Sequence, residues 1–270
     1  MKKALSIAGS DCSGGAGIQA DLKTFSAHGV FGMTVITSVV AENTFRVTDY
    51  QDIRPDIIEK QIDDIFEDIP PDAVKVGMLS CHETMLAVAK KLREWKPNNT
   101  VIDPVMYAKN GSPLMEESAI STLISEIVPL ADLITPNIPE AEKMTGMTIK
   151  NDDDMRQAAR LIHAMGCRAV VVKGGHSEGD AVDILFDGNE FYEYSAPRVE
   201  TKHTHGTGCT FSSAIASNLA LGISVQKAVE KAKGYINVAI AHAPKLGKGN
   251  GPTHHFYEMY KTYFKENAHG

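Results

Sequence analysis

Short apolar, β-branched segments alternate with amphipathic helical ones along nearly the whole chain, and that alternation is the strongest constraint on the fold. Residues 4–8 form an apolar run that stops at Gly9. A turn-forming stretch from Ser10 to Gly17 follows. Residues 18–28 then set Ile18, Leu22 and Phe25 on one helical face, with Gly29 as the stop. Strand, glycine-rich loop and helix in that order make one unit of a parallel α/β sheet. Residues 33–40 read as a second strand, 45–52 as a polar excursion, and 55–68 as a helix opened by Pro55. Beyond Pro70-Pro71 the alternation continues: strand 73–78, helix 82–95, strand 100–103, helix 116–129, strand 133–135, a short helix from Pro139, helix 152–165 and strand 169–172. Residues 181–186 and 191–194 flank Asp187-Gly188-Asn189 as an antiparallel hairpin at the sheet edge. A helix after Thr210, a second over 225–242 and an aromatic segment over 256–264 close the chain. No linker, low-complexity tract or repeat interrupts this series. One domain over residues 1–270 is therefore expected, an α/β fold with a central mostly parallel sheet and helices on both faces.

Composition narrows the partners. With 43% hydrophobic and 23% charged residues, the 270-residue chain has the balance of a soluble globular protein. A formal net charge of −7 without a Lys/Arg cluster argues against nucleic acid. Lys2-Lys3 before an apolar run hints at a signal peptide, but the run is short and Asp11 interrupts it. No stretch approaches about 18 uninterrupted apolar residues, so no membrane span is expected. Cys12, Cys81, Cys167 and Cys209 show neither CxxC nor zinc-finger spacing, and read as free thiols in a reducing cytoplasm.

In a doubly wound sheet, ligands bind beyond the carboxyl ends of the strands. After the first strand come Asp11 and Ser13-Gly14-Gly15-Ala16-Gly17, whose spacing is neither GxGxxG nor a P-loop. A plain tight turn is the competing reading. Glu42 follows the second strand, where a half-buried carboxylate needs a partner: a ligand N–H, a neighbouring Lys or a backbone amide. Asp103, Asn137 and Glu140 place hard oxygen donors at adjacent strand ends, suited to Mg²⁺, although each acid alone also suits a helix cap. Lys173-Gly174-Gly175-His176 leaves an all-valine strand with a lysine able to reach phosphate.

Thr204-His205-Gly206-Thr207-Gly208-Cys209-Thr210 opens an Ala-rich helix. Unpaired N–H groups and the helix dipole suit an anion there, and Gly206 and Gly208 permit close backbone approach. Cys209 falls in the first turn, where the dipole favours thiolate. An ordinary glycine-containing loop with a buried Cys is the alternative. An anion site, acids for a hard cation and a phosphate lysine together specify phosphoryl transfer.

Several of these segments resemble the bacterial hydroxymethylpyrimidine/phosphomethylpyrimidine kinases. They are Ala8-Gly9-Ser10-Asp11, the stretch from Ser13 to Thr24, Lys75-Val76-Gly77-Met78-Leu79, Asp103-Pro104-Val105-Met106, the stretch from Thr135 to Ala141, Lys173 to His176, His203 to Thr210, and Gly251-Pro252-Thr253-His254-His255-Phe256. The resemblance implies a ribokinase-like three-layer α/β/α fold. It also implies Mg²⁺ and ATP, and two successive phosphorylations in thiamine biosynthesis: of 4-amino-5-hydroxymethyl-2-methylpyrimidine, then of its monophosphate. Asp21, Glu42, Met78 and Val105 are implied as substrate-binding. Asp103, Asn137, Glu140, Lys173 and Thr207 are implied for ATP, with Asp103 and Glu140 toward the metal. Cys209, with Gly206 and Gly208, is implied as catalytic, standing where related sugar kinases carry an Asp base. The family often has Gln where this chain has Glu42. A homodimer and a cytoplasmic location, with no nucleic-acid or membrane partner, complete the expectation. Pyridoxine/pyridoxal kinase is the rival on the same fold, and a non-catalytic nucleotide-binding regulator is a rival of another class.

Overall fold

The computed structural model describes residues 1–108, 111–174 and 180–267, the side chains of 264–267 excepted. Gly175 and His176 lie outside the described residues. The strands are β1 (Lys3–Asp11), β2 (Phe31–Asn43), β3 (Arg46–Asp52), β4 (Ala73–Val76), β5 (Thr100–Ile102), β6 (Leu133–Ile134), β7 (Val170–Lys173), β8 (Ala181–Phe186) and β9 (Phe191–Ala196). The helices are α1 (Gly17–Ala27), α2 (Pro55–Asp68), α3 (His82–Trp95), the single turn α4 (Ile120–Thr122), α5 (Ile138–Thr145), α6 (Asp152–His163), α7 (Thr207–Ala220), α8 (Val225–Ala241) and α9 (Tyr257–Asn267).

The strands form one sheet in the order β3-β2-β1-β4-β5-β6-β7-β8-β9. From β2 to β7 every pairing is parallel, while β3 and the β8–β9 hairpin close the two edges antiparallel. Alternation along the strands divides the core. Leu5, Ile7, Val74, Val76, Val170 and Val172 face α2, α3, α5 and α6. Ala4, Ala73, Val101, Ala169 and Val171 face α1, α7 and α8. Small residues on that second face let the Ala-rich α7 lie close to the sheet, as burial of Ala214, Ile215, Ala216 and Ala220 requires. Among the described residues, no helix is long and apolar enough to cross a membrane.

Two segments differ from the sequence reading. Residues 46–52 are a strand, not an excursion: β3 pairs its backbone with β2 and leaves most of its polar side chains in water. Residues 117–130 are not one regular helix but run through a 3₁₀ turn, α4, a π turn and a second 3₁₀ turn. Pro129 has no N–H for a helical bond, so the winding tightens around it. Burial of Leu123, Ile127 and Val128 is kept.

β1 is an interior strand, third in the order: the chain steps from it to β2 on one side and later to β4 on the other. That reversal opens a crevice at the carboxyl ends of β1 and β4, where this architecture takes its ligands.

Candidate active site

A cavity of about 560 Å³ opens over these strand ends, within the range that encloses small ligands. It is lined by Gly9 and Asp11 from β1, Glu42 from β2, Met78 after β4, Asp103 and Val105 after β5, Asn137 and Glu140 at α5, Lys173 of β7, and Gly206 through Cys209. Every residue assigned to the site from the sequence lines it except Asp21. Both oxygens of the Asp21 carboxylate are engaged beneath the floor, by Ser6 Oγ at 2.5 Å, Ser213 Oγ at 2.6 Å and Lys75 Nζ at 2.9 Å. With no exposed surface, Asp21 holds the floor from below and is not among the residues that line the cavity.

The start of α7 is shaped by backbone contact. Gly206 sits at φ 74° against the carbonyl of Gly15, so a Cβ has no room there. The first helical bond is Thr210 N–H to Gly206 O at 2.8 Å; Thr207 N–H is taken by Thr204 O at 3.3 Å, and the amides of Gly208 and Cys209 precede the helical ladder. Gly208 faces the charged end of the cavity: a Cβ there would lie 3.1 Å from Asp103 Oδ2 and 3.4 Å from Lys173 Nζ. Lys173 Nζ also donates to Asp103 Oδ1 at 2.8 Å. Burial alone would lower the Lys173 pKa, but Asp103 and Glu140 outweigh it and keep the ammonium charged.

Glu140 and Asn137 form a capping box. Asn137 Oδ1 accepts from Glu140 N–H at 2.9 Å, and Glu140 Oε2 accepts from Asn137 N–H at 2.8 Å. The cap and the ligand-facing reading are thus both realised, because both residues also line the cavity. Burial, with Asp103 nearby, pushes the Glu140 carboxyl up to about 7, against the opposing pull of Lys173. A buried acid with a raised pKa beside Asp103 is the environment a hard divalent cation neutralises. Asp103 Oδ2 faces the glycine start of α7, leaving an oxygen directed at the phosphate side. The residues fit a divalent cation.

Cys209 does not follow the helix-dipole expectation. Burial pushes its thiol up to about 11; Lys75 opposes this, while Asp21 and Asp103 reinforce it. The dipole acts over one turn, whereas desolvation and two carboxylates act on the sulfur directly. At neutral pH Cys209 is a thiol.

At the opposite end stand residues that the sequence did not pair. Asp11 accepts from Ser13 N–H at 2.7 Å, Gly15 N–H at 2.9 Å and Ala16 N–H at 2.7 Å, and lies 2.9 Å from His205 Nε2. Burial would raise the Asp11 pKa, but His205 and these amides hold it well below the usual range. This pair ties the β1–α1 loop to the start of α7. Glu42 lies beside it, on the inward side of β2 that it shares with Val40. Lys75, the one charge in the apolar β4, was also missed. A Cβ at Gly77 would lie 2.6 Å from its Nζ, so the side chain runs along the strand toward the floor under Cys209. A charge in a buried strand was the available signal.

Open α/β crevice, pre-ladder amides, a buried Lys173–Asp103 pair and flanking acids define a phosphotransferase acting on a small molecule. The profile of the phosphomethylpyrimidine kinase family matches residues 11–254. A hydroxymethylpyrimidine/phosphomethylpyrimidine kinase of Rhizobium meliloti is 48% identical over 262 residues, which is 96% of this chain and 98% of that protein. The bifunctional thiamine biosynthesis protein ThiED of Geobacter sulfurreducens is 50% identical over 252 residues, 93% of this chain. The chain spans about half the length of that protein, 51%. A Bacillus subtilis pyridoxal kinase, solved as an ADP complex, superposes with a TM-score of 0.90 at 42% identity, covering 96% of this chain and 99% of that one. The chain belongs to the phosphomethylpyrimidine kinase family, and it is a kinase.

Proposed function

We propose that this chain phosphorylates the hydroxymethyl group of 4-amino-5-hydroxymethyl-2-methylpyrimidine with Mg·ATP, and then phosphorylates the resulting monophosphate. The observation that carries the reading is the polarity of the cavity. Lys173, Asp103, Glu140 and the start of α7 form an anion-and-cation end, and Met78 and Val105 form an apolar wall at the other end, with Glu42 and the Asp11–His205 pair beside it. Met78 and Val105 offer apolar surface to an aromatic ring, and Glu42 meets the exocyclic amine.

The amides of Gly208 and Cys209 and the Lys173 ammonium meet the transferring phosphoryl group, neutralising charge that spreads over its oxygens. Asp103 and Glu140 would hold Mg²⁺, which supplies charge neutralisation on the phosphates. Asn137 contributes to the ATP end, and Thr207, whose Oγ1 donates to Thr204 O at 2.7 Å, fixes the loop. Cys209 stands between the two ends. As a thiol it hydrogen-bonds and orients the attacking hydroxyl, a role that suffices where the transition state is loose and needs little base assistance. Gly206 and Gly208 serve by having no side chain. A cytoplasmic homodimer without nucleic-acid or membrane partners remains part of the proposal.

A second reading, pyridoxal kinase, is favoured by the 0.90 superposition on the Bacillus subtilis enzyme. The higher identity to the Rhizobium relative favours the pyrimidine. Measuring kcat/KM for the pyrimidine alcohol and for pyridoxal on the purified chain separates them. At least about tenfold preference for the pyrimidine is expected; comparable or better pyridoxal turnover would refute it.

A further inference from the structure

Three ionisable groups meet at the ring end of the cavity and have no part in phosphoryl transfer. Ligand-capable atoms of Asp11, Glu42 and His205 all lie within 4.8 Å of one another. Asp11 is almost fully buried, carries three backbone N–H bonds and faces His205, so it stays ionised. Glu42 is half-buried against this fixed negative charge. Cys12, on the turn after β1, bonds the main chain of Glu42 through its thiol, 3.1 Å from the carbonyl. Among the described residues, Asp11 and His205 are the ionisable groups that act on Glu42. Burial first, and then Asp11, push the Glu42 carboxyl up to about 7, with His205 opposing.

The chemistry of the ring gives this cluster a consequence. The edge of a 4-aminopyrimidine presents a donor, the amine, beside an acceptor, the ring nitrogen. A carboxylate offers acceptors only, whereas a protonated carboxyl offers one acceptor and one O–H donor. An ionised Glu42 therefore sets a negative oxygen against a ring lone pair. One proton must lie between carboxyl and ring for both contacts to be favourable, whichever of the two carries it. We propose that the Asp11–Glu42–His205 cluster is a proton reservoir for substrate recognition, so that binding the aminopyrimidine above neutral pH is linked to uptake of one proton at Glu42. This inference rests on the pyrimidine reading of the site. His205 keeps Asp11 ionised, and Asp11 keeps the proton on Glu42 near neutrality.

Two results follow. kcat/KM for the pyrimidine alcohol falls about tenfold per pH unit above about pH 7 in the native chain. In Glu42→Gln it stays level over the same range, because an amide carries donor and acceptor at every pH. The direct test is calorimetric binding of the pyrimidine alcohol at about pH 8, in two buffers of different ionisation enthalpy, to the native chain and to Glu42→Gln. Uptake close to one proton in the native chain and close to zero in the variant is expected. No uptake in the native chain, or equal uptake in both, overturns the proton link while leaving the substrate assignment intact. Absence of pyrimidine binding to either chain overturns the substrate assignment and this inference with it.

Discussion

Lys75→Met tests the layer under the active-site floor. Lys75 and Asp21 are both without exposed surface, paired at 2.9 Å, and the remaining contacts of Asp21 are two serine hydroxyls. Methionine fills most of the volume but removes the charge, leaving Asp21 buried with only neutral donors. Breaking a buried pair from one side typically costs about 3–5 kcal/mol, since the remaining ion has no solvent to turn to. For a chain of this size about 1 kcal/mol shifts the midpoint by about 2–4 °C, so a fall of about 6–20 °C is expected. Urea unfolding of the native chain, Lys75→Met, Asp21→Asn and the double variant measures the coupling. The double variant should recover at least about 2 kcal/mol relative to the sum of the single losses. Additive losses, or a single loss below about 1 kcal/mol, would refute the view that the pair anchors α7 and α1 to β4.

Three further outcomes follow from the geometry. Cys209→Ala lowers kcat by about a hundredfold, the cost of losing the group that orients the hydroxyl, while ATP binding, measured by calorimetry, is retained; near-normal turnover would remove Cys209 from the reaction. Gly206→Ala, at φ 74° against the carbonyl of Gly15, loses activity and destabilises by at least about 2 kcal/mol in urea unfolding, whereas a surface glycine with open space, such as Gly222, costs less. Asp11→Asn destabilises by about 2–3 kcal/mol near pH 5–6. The depressed Asp11 pKa means that its contribution is present above about pH 4 and lost below it as the folded chain takes up the proton. His205 is raised by Asp11 against the effect of burial, so its share is present below about pH 6.5 and lost as pH rises through the folded value. Stability curves against pH should therefore converge in acid and narrow, without meeting, in base.

Most of the parallel strands were legible because they are short β-branched or small apolar runs with a glycine or proline at the end, as Ile7-Ala8-Gly9 and Val101-Ile102-Asp103-Pro104 show. β3 was not, because Arg46–Asp52 contributes backbone pairing at a solvated edge and has almost no apolar face to reveal it. Asp103, Glu140, Lys173 and Cys209 were legible as residues that follow strands and open helices. The charge state of Cys209 was not, since it depends on burial and on Lys75, Asp21 and Asp103, brought together from distant parts of the chain. Asp21 shares its segment with the glycine loop, yet α1 turns it onto the sheet, where Ser6 and Lys75 meet it. The Asp11–His205 bond spans 194 positions and leaves no local trace.

The central claim is that one cavity carries phosphoryl groups from the Asp103–Lys173 end to an alcohol, and then to its phosphate, held at the Glu42–Met78 end. Phosphorus NMR of the pyrimidine alcohol with excess Mg·ATP and the purified chain follows both steps in one tube. The account predicts that the monophosphate forms first, that the diphosphate then grows at its expense, and that Cys209→Ala slows both steps together. Accumulation of the monophosphate alone, or a variant that loses one step and keeps the other, would contradict a single shared site.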